Sequence, residues 1–403
     1  MYVELAESMR GDARAQQAKD LVSACVHCGF CLATCPTYLD RADERDSPRG
    51  RIYLVKQLLE TGEASAQTRT HLDRCLTCRS CETSCPSGMQ YGHLVDLGRV
   101  MVDQAAPRPA GQRLFRRLLR ESLSRPALFS FGLQLGRLIR PLLPRALKQQ
   151  IPQRQQLAPV LATSKPRTML VLDGCVQASA TPRTNNAAGR ILSRLGIQLK
   201  SIPSAGCCGA VNYHLGAADA GLDNARRNID AWWPQVEAGA EAIISSATGC
   251  GAMIADYGQL LAADPQYAEK AERIASLHRD IAQVVHDEDL TVLSPDTSVG
   301  RIAVHTPCSQ QHGLKQTGQV QDILSRAGFE LATSCDDHLC CGSAGTYSIL
   351  QSETSERLRQ RKLAALTGDR PDLIVTANVG CQLHLADDGG PPVCHWLELL
   401  DPI

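Results

Sequence analysis

The chain is poor in aromatic residues, which make up 4% of its 403 residues, and it carries no net charge, with 42 Lys+Arg against 42 Asp+Glu. A neutral balance offers no field for a polyanion, and so few rings offer no stacking platform for bases. No recognition motif appears either, so no nucleic-acid partner is expected. No stretch reaches 18 consecutive apolar residues, which argues against a membrane-spanning helix. The opening residues, MYVELAESMRGDARAQQAKD, hold acids and arginines and no apolar h-region. A secretory signal is not expected there, and a cytoplasmic setting is. No G-x-G-x-x-G run follows an apolar strand-like segment, so flavin or nicotinamide chemistry is not expected on this chain.

Cysteine is abundant instead, with 18 residues. In a cytoplasmic chain, clustered cysteines point to metal binding rather than disulfides. CVHCGFCLATCP (25–36) and CLTCRSCETSCP (75–86) both read C-x2-C-x2-C-x3-C-P. A [4Fe–4S] cluster takes four thiolates. In two-cluster ferredoxins with this run, the fourth cysteine serves the other cluster. The pattern therefore assigns Cys25, Cys28, Cys31 and Cys85 to one cluster, and Cys75, Cys78, Cys81 and Cys35 to the second. The prolines are expected to start helices leading away from the loops. Paired C-x2-C motifs also build zinc ribbons, but zinc does not call for the x2-x2-x3-Pro pattern. His27 and His71 read as solvated neighbours of the loops. The segment SPRGRIYLVKQLLETGE (47–63) has helical periodicity, predicting an all-helical two-cluster domain over 1–105.

Residues 106–167 contain no cysteine. From Arg108 through Arg145 and Lys148 to Arg167, the basic residues face Glu121 alone. Leu114, Phe115, Leu118 and Leu119, then Leu135, Leu138, Ile139, Leu142 and Leu143, recur at near-helical spacing. This zone reads as a basic amphipathic helical linker. It suits either an anionic membrane surface or helices packed on partner proteins.

The remaining ten cysteines lie in an internal repeat. Cys175 corresponds to Cys308, and Cys207-Cys208-Gly209 to Cys340-Cys341-Gly342, both at an offset of 133 (308 − 175 and 340 − 207). Cys250 corresponds to Cys381 at an offset of 131 (381 − 250). ILSR occurs at 191–194 and again at 323–326. Two copies of one module are expected, at 168–295 and 296–403. Each reads as alternating strand and helix. Strands are expected at 168–175, 197–202 and 242–250, then at 301–308, 329–333 and 373–381. Helices are expected at 184–195 and 218–235, then at 316–327 and 352–366. The fold class is thus multidomain: an all-α two-cluster ferredoxin-like domain followed by a duplicated α/β cysteine-rich domain with parallel sheets. Cysteines after strand ends gather at the rim where open parallel sheets bind ligands. Cys175, Cys207, Cys208, Cys250, Cys308, Cys340, Cys341 and Cys381 form a candidate further cluster or redox site. Cys335 and Cys394 have no counterparts and read as buried free cysteines.

Two ferredoxin-type runs followed by two CCG modules resemble the iron–sulfur subunits of glycolate oxidase (glycolate dehydrogenase). They are also similar to those of anaerobic glycerol-3-phosphate dehydrogenase and heterodisulfide reductase. The resemblance covers Cys25 to Cys381. It implies a complex in which separate FAD-binding subunits oxidise glycolate to glyoxylate, while this chain carries electrons onward to the quinone pool. It also implies peripheral association with the cytoplasmic face of the inner membrane. Lactate or another 2-hydroxy acid would use the same cluster residues. In heterodisulfide reductase the CCG module ends in C-x-x-C. Here Met253 and His384 stand at the last position, which argues against catalytic thiol–disulfide chemistry and leaves an ordinary third cluster in one module open. His384 could ligate there, but a single histidine is more often structural than a ligand.

Overall fold

The computed structural model describes residues 1–401 except 145–147, 149–150, 161–164 and 388. Arg145 therefore lies outside the described residues. The first hundred residues are helical, with α1 (Ala13–Ser23), α2 (Pro36–Arg41), α3 (Pro48–Thr61), α4 (Ala66–Asp73), α5 (Ser80–Thr83) and α6 (Tyr91–Ala105). Ser47 caps α3 by accepting from the Gly50 amide, and Gly62 (φ 75°) ends it. Its periodic face, Ile52, Val55, Leu58 and Leu59, packs with Leu94, Val95 and Val102 of α6 into one core. Pro36 sits at the first turn of α2, as expected. Pro86 does not open a helix, because the chain turns through Gly88 (φ 65°) and α6 begins at Tyr91.

The linker forms a helical hairpin, α7 (Ala110–Ser124) and α8 (Pro126–Ile139). No helix among the described residues is long and apolar enough to cross a membrane.

Two parallel sheets follow. The first has β1 (Arg167–Val171), β2 (Ile197–Ser201), β3 (Ala242–Ser245) and β4 (His278–Asp280) in the order β2-β1-β3-β4. The second has β5 (Ile302–His305), β6 (Leu373–Thr376) and β7 (Val393–His395) in the order β5-β6-β7. Met169 pairs with Ala242 and Ile302 pairs with Leu373, so the ladder repeats at the same two offsets as the cysteines. Helices Pro182–Arg194, Ala218–Glu237, Gln319–Arg326 and Ser352–Thr367 fall where periodicity placed them.

Three expectations are corrected. Residues 329–333 make only the bridge Ile302↔Leu331, because Asp369 takes the Thr333 amide at 3.0 Å and draws the chain off the ladder. The third strand of each copy is shorter than expected. Cys250 and Cys381 instead stand in the helices Thr248–Ala255 and Val379–Leu385. Strands β4 and β7 were not anticipated. The two sheets share one core, in which Ile191, Ile197, Ile244 and Val284 pack with Val304, Ile323, Val375 and Trp396.

Candidate metal centres

The two ferredoxin-type loops have one backbone shape. His27 (φ 60°) and Gly29 (φ 86°) are left-handed in the first, and Thr77 (φ 54°) and Arg79 (φ 59°) at the matching positions of the second. Left-handed backbone at non-glycine residues costs of order 1 kcal/mol or more each, which is retained where a loop must wrap something. In the second loop the Thr77 amide donates to Cys75 Sγ at 3.4 Å.

Cys25, Cys28, Cys31 and Cys85 line one small cavity, walled by Pro48, Ile52 and Met89. Burial pushes Cys31 up to about 11, and the nearby Cys25 and Cys35 add to the shift. Cys85 is lowered: burial opposes this, but the Ser87 hydroxyl and the amides of Ser87, Gly88 and Met89 point at its sulfur. The turn after Cys85 thus solvates a thiolate instead of starting a helix. Cys78 and Cys81 are raised far above an ordinary thiol, by burial first, and both also feel Cys35 and Cys75. Cys35 thus lies within electrostatic reach of Cys78 and Cys81, and also of Cys31 in the first set. The two sets adjoin, since Cys81 also lines the first cavity.

A buried hub stands behind Cys35. The Asp46 carboxylate is fully buried and meets His71 Nδ1 at 2.9 Å, Arg74 at 3.0 Å and Arg51 at 3.5 Å. The Asp46 carbonyl accepts from the Thr37 hydroxyl at 2.8 Å and from Cys35 Sγ at 3.8 Å. His71 is thus buried, not a solvated neighbour. His27 is exposed, as expected.

In each repeat the glycine after the doublet is left-handed, at φ 97° for Gly209 and 93° for Gly342. Its amide donates to the first thiol of the doublet at 3.5 Å in both copies. A Cβ there would come within 2.5 Å of the Gly221 carbonyl or 2.6 Å of the Ser355 carbonyl, so only glycine fits. In the first copy Cys175 contacts Cys207, Cys207 contacts Cys208, and Cys208 contacts Cys250. Thiol hydrogen bonds from Cys175 and Cys208 hold Cys207 down to about 3, while its two partners are pushed up. In the second copy Cys308 lies 3.6 Å from Cys340, and Cys341 contacts both Cys340 and Cys381. Such arrays cannot hold several thiolates together without a cation. A coordinated metal supplies that charge and deprotonates its thiols. Such a set can therefore hold a metal where its remaining donors are in reach, and otherwise rests with one lowered thiol between protonated partners, as Cys207 does.

The sets converge on a central cleft of about 1390 Å³, lined by Cys75, Cys78 and all eight repeat thiols. Cys78 and Cys308 pack into one small cluster with Leu76, Cys340 and Tyr347. The ferredoxin-like domain is fixed there by Tyr347, whose hydroxyl donates to the Arg74 carbonyl at 3.1 Å, and by the Arg79–Asp256 pair. His214 Nδ1 adds a contact to Asp96 at 2.9 Å.

One group escaped the sequence reading. His305, at the end of β5, puts a ring nitrogen within 4.8 Å of the sulfurs of Cys341 and Cys381. A histidine three residues before a repeat cysteine, absent from the other copy, was the available signal. His384 lies nearby, 3.3 Å from the Ser355 hydroxyl. Cys335 is exposed rather than buried, and Cys394 lies partly buried in β7.

Comparison with known proteins agrees with this layout. Residues 21–89 match the family described as 4Fe-4S dicluster domain, and residues 169–255 and 302–386 each match the family described as cysteine-rich domain. The glycolate oxidase iron-sulfur subunit of Escherichia coli K12 is 48% identical over 402 residues, covering 100% of this chain and 98% of that one. A probable glycolate oxidase iron-sulfur subunit of Bacillus subtilis is 31% identical, covering 90% of this chain and 87% of its own. Lactate utilization protein A of Shouchella clausii is 25% identical over 52% of this chain and 87% of its own. The crystal structure of a hypothetical protein from Helicobacter pylori shares the fold with a TM-score of 0.56 at 9% identity, covering 96% of this chain and 72% of that one. With duplicated cysteine-rich modules behind a dicluster domain and near-complete alignment to two such relatives, the chain belongs to the family of glycolate oxidase iron–sulfur subunits.

Proposed function

We propose that this chain is the electron relay of a flavoprotein complex oxidising glycolate to glyoxylate. FAD resides on partner subunits, and quinone is the terminal acceptor. The names of its full-length relatives support glycolate over D-lactate as substrate. The observation that carries the relay is the convergence of thiols: the second ferredoxin-type set adjoins the first at Cys81 and packs against Cys308 and Cys340 of the second module.

In this reading Cys25, Cys28, Cys31 and Cys85 hold one [4Fe–4S] cluster, and Cys75, Cys78, Cys81 and Cys35 the other. Bound clusters supply one-electron steps. The protein buries Cys35, Cys75 and Cys81, leaves the first loop nearer the surface with Cys28 exposed, and directs amides at Cys75 and Cys85. The exchanged fourth cysteines keep the two sites close, which favours transfer between them.

The α7–α8 hairpin is the surface for peripheral attachment at the cytoplasmic face of the inner membrane. Leu114, Leu118, Phe131, Leu135 and Leu138 are all exposed on it, as is Leu142 in the turn that follows, among arginines. Its other side is fastened by Arg116 to Asp73 at 2.9 Å and by Arg137 to the Ser179 carbonyl at 3.2 Å.

Co-purification with flavoproteins, followed by glycolate-dependent dye reduction, tests the assignment. Cys28→Ser should remove dye reduction through this chain while glycolate still bleaches the flavin of the partners.

A further inference from the structure

The two cysteine-rich copies are not equivalent. His305 in the second corresponds to Leu172 in the first, by the 133 offset. His384 corresponds to Met253, by the 131 offset. Leu172 and Met253 are buried in an apolar cluster together with Cys208. The positions that bring histidines to the Cys341 side of one module thus bring hydrocarbon and thioether to the Cys208 side of the other.

We propose that the second copy alone holds a further metal centre, with His305 as a ligand beside Cys341 and Cys381. The relay reading leaves the eight repeat thiols undivided; this inference extends it and does not depend on glycolate being the substrate. Two observations carry it. A ring nitrogen of His305 and the sulfurs of Cys341 and Cys381 lie within 4.8 Å of one another, and all three residues are buried. Metal–sulfur bonds of about 2.3 Å and metal–nitrogen bonds of about 2.0–2.1 Å at tetrahedral angles place donors roughly 3.5–3.8 Å apart, so small movements close the set on one ion. His305 Nδ1 lies 2.9 Å from the Thr376 hydroxyl, which leaves Nε2 for the metal. Metal-bound histidines are commonly oriented in this way through their second nitrogen.

The surroundings suit the charge. Cys340 touches Cys341 at the edge of this three-residue set. The buried Lys362 ammonium, donating to the Asp336 carbonyl at 2.6 Å, lies within electrostatic reach of Cys340 and Cys341 and offsets their thiolates. Asn378 Nδ2 donates to Cys381 Sγ at 3.4 Å. Thiolate and imidazole together select a soft or borderline metal, either a single Zn²⁺ or an iron of a cluster.

The test is iron, zinc and sulfide analysis of the full chain purified anaerobically, as wild type and as His305→Leu, His305→Cys, Cys381→Ser and Cys250→Ser. Two cubanes account for about eight irons per chain. The expected wild type carries metal beyond these. His305→Leu and Cys381→Ser should lose that excess and keep the eight irons. Cys250→Ser should keep both, and His305→Cys, which restores a soft ligand, should regain the excess. Excess zinc without added sulfide identifies a single ion, and excess iron with sulfide identifies a cluster; either supports the centre. Eight irons with no excess overturns this inference and spares the relay. Loss of the excess in Cys250→Ser, or its full retention in His305→Leu, also overturns it. Failure of a well-folded His305→Cys, melting as wild type, to regain the excess does the same. Absence of the eight irons from the wild type would count against the relay reading instead.

Discussion

Asp46 Oδ1 and His71 Nδ1 lie 2.9 Å apart with both residues buried, joining the turn before α3 to α4 directly behind Cys35. Arg51 and Arg74 complete the pairing of the carboxylate. Removing one partner from a buried charged network leaves the others uncompensated, at a cost of about 3–5 kcal/mol. Asp46→Ala should therefore melt well below wild type and lose iron from the cluster that uses Cys35 before the other. Thermal melts and iron analysis check this, and an unchanged melting temperature would contradict it.

The repeat was legible because identical chemistry forces identical spacing. The doublet glycines must be left-handed, and the pairings Met169↔Ala242 and Ile302↔Leu373 carry the cysteine offsets into the sheets. The loops at 27–29 and 77–79 were legible for the same reason. The Asp46–His71 hub was not, since a buried ion pair between distant segments leaves no period. His-Arg-Asp in β4 and Val-Cys-His in β7 lack the apolar run that marks a strand, and their pairing comes only from tertiary contact. His305 was missed because its ligand partners are 36 and 76 residues away in sequence (341 − 305 and 381 − 305).

Asp280 gives a pH-dependent prediction. Burial raises its carboxyl to about 7, opposed only by the Ala282 amide, and Oδ2 has no hydrogen-bond partner among the described residues. The folded state therefore binds this proton more tightly than the unfolded chain, whose carboxyl has the ordinary value of 3.8. The contribution to stability is present below that value and is lost as pH rises towards 7. Asp280→Asn keeps an oxygen for the Ala282 cap. It should stabilise the chain at pH 8 by up to about 4 kcal/mol and do nothing below pH 4. Denaturant melts at the two pH values decide it, and a larger gain in acid would contradict the assignment.

The hairpin makes a separate prediction. Leu138 and Leu142 are 77% and 87% exposed, so replacing them should change folding stability by less than about 0.5 kcal/mol. The pair Leu138→Glu and Leu142→Glu should nevertheless weaken sedimentation with anionic lipid vesicles by tenfold or more. Equal sedimentation of wild type and variant would show that this face does not meet lipid.

The exchange of fourth cysteines can be read spectroscopically. Cys35→Ser should perturb the EPR signal of the cluster that Cys78→Ser perturbs, and Cys85→Ser that of the Cys28→Ser cluster. Pairing of Cys35 with Cys28 instead would contradict the ligand assignment.

The most direct test of the central claim is glycolate-driven quinone reduction by the co-purified complex, compared between wild type and Cys28→Ser. A relay through this chain predicts that the variant loses at least 99% of quinone reduction, about 2.7 kcal/mol or more in rate, while glycolate still reduces the partner flavin. Undiminished quinone reduction in Cys28→Ser would show that the electrons travel by another route.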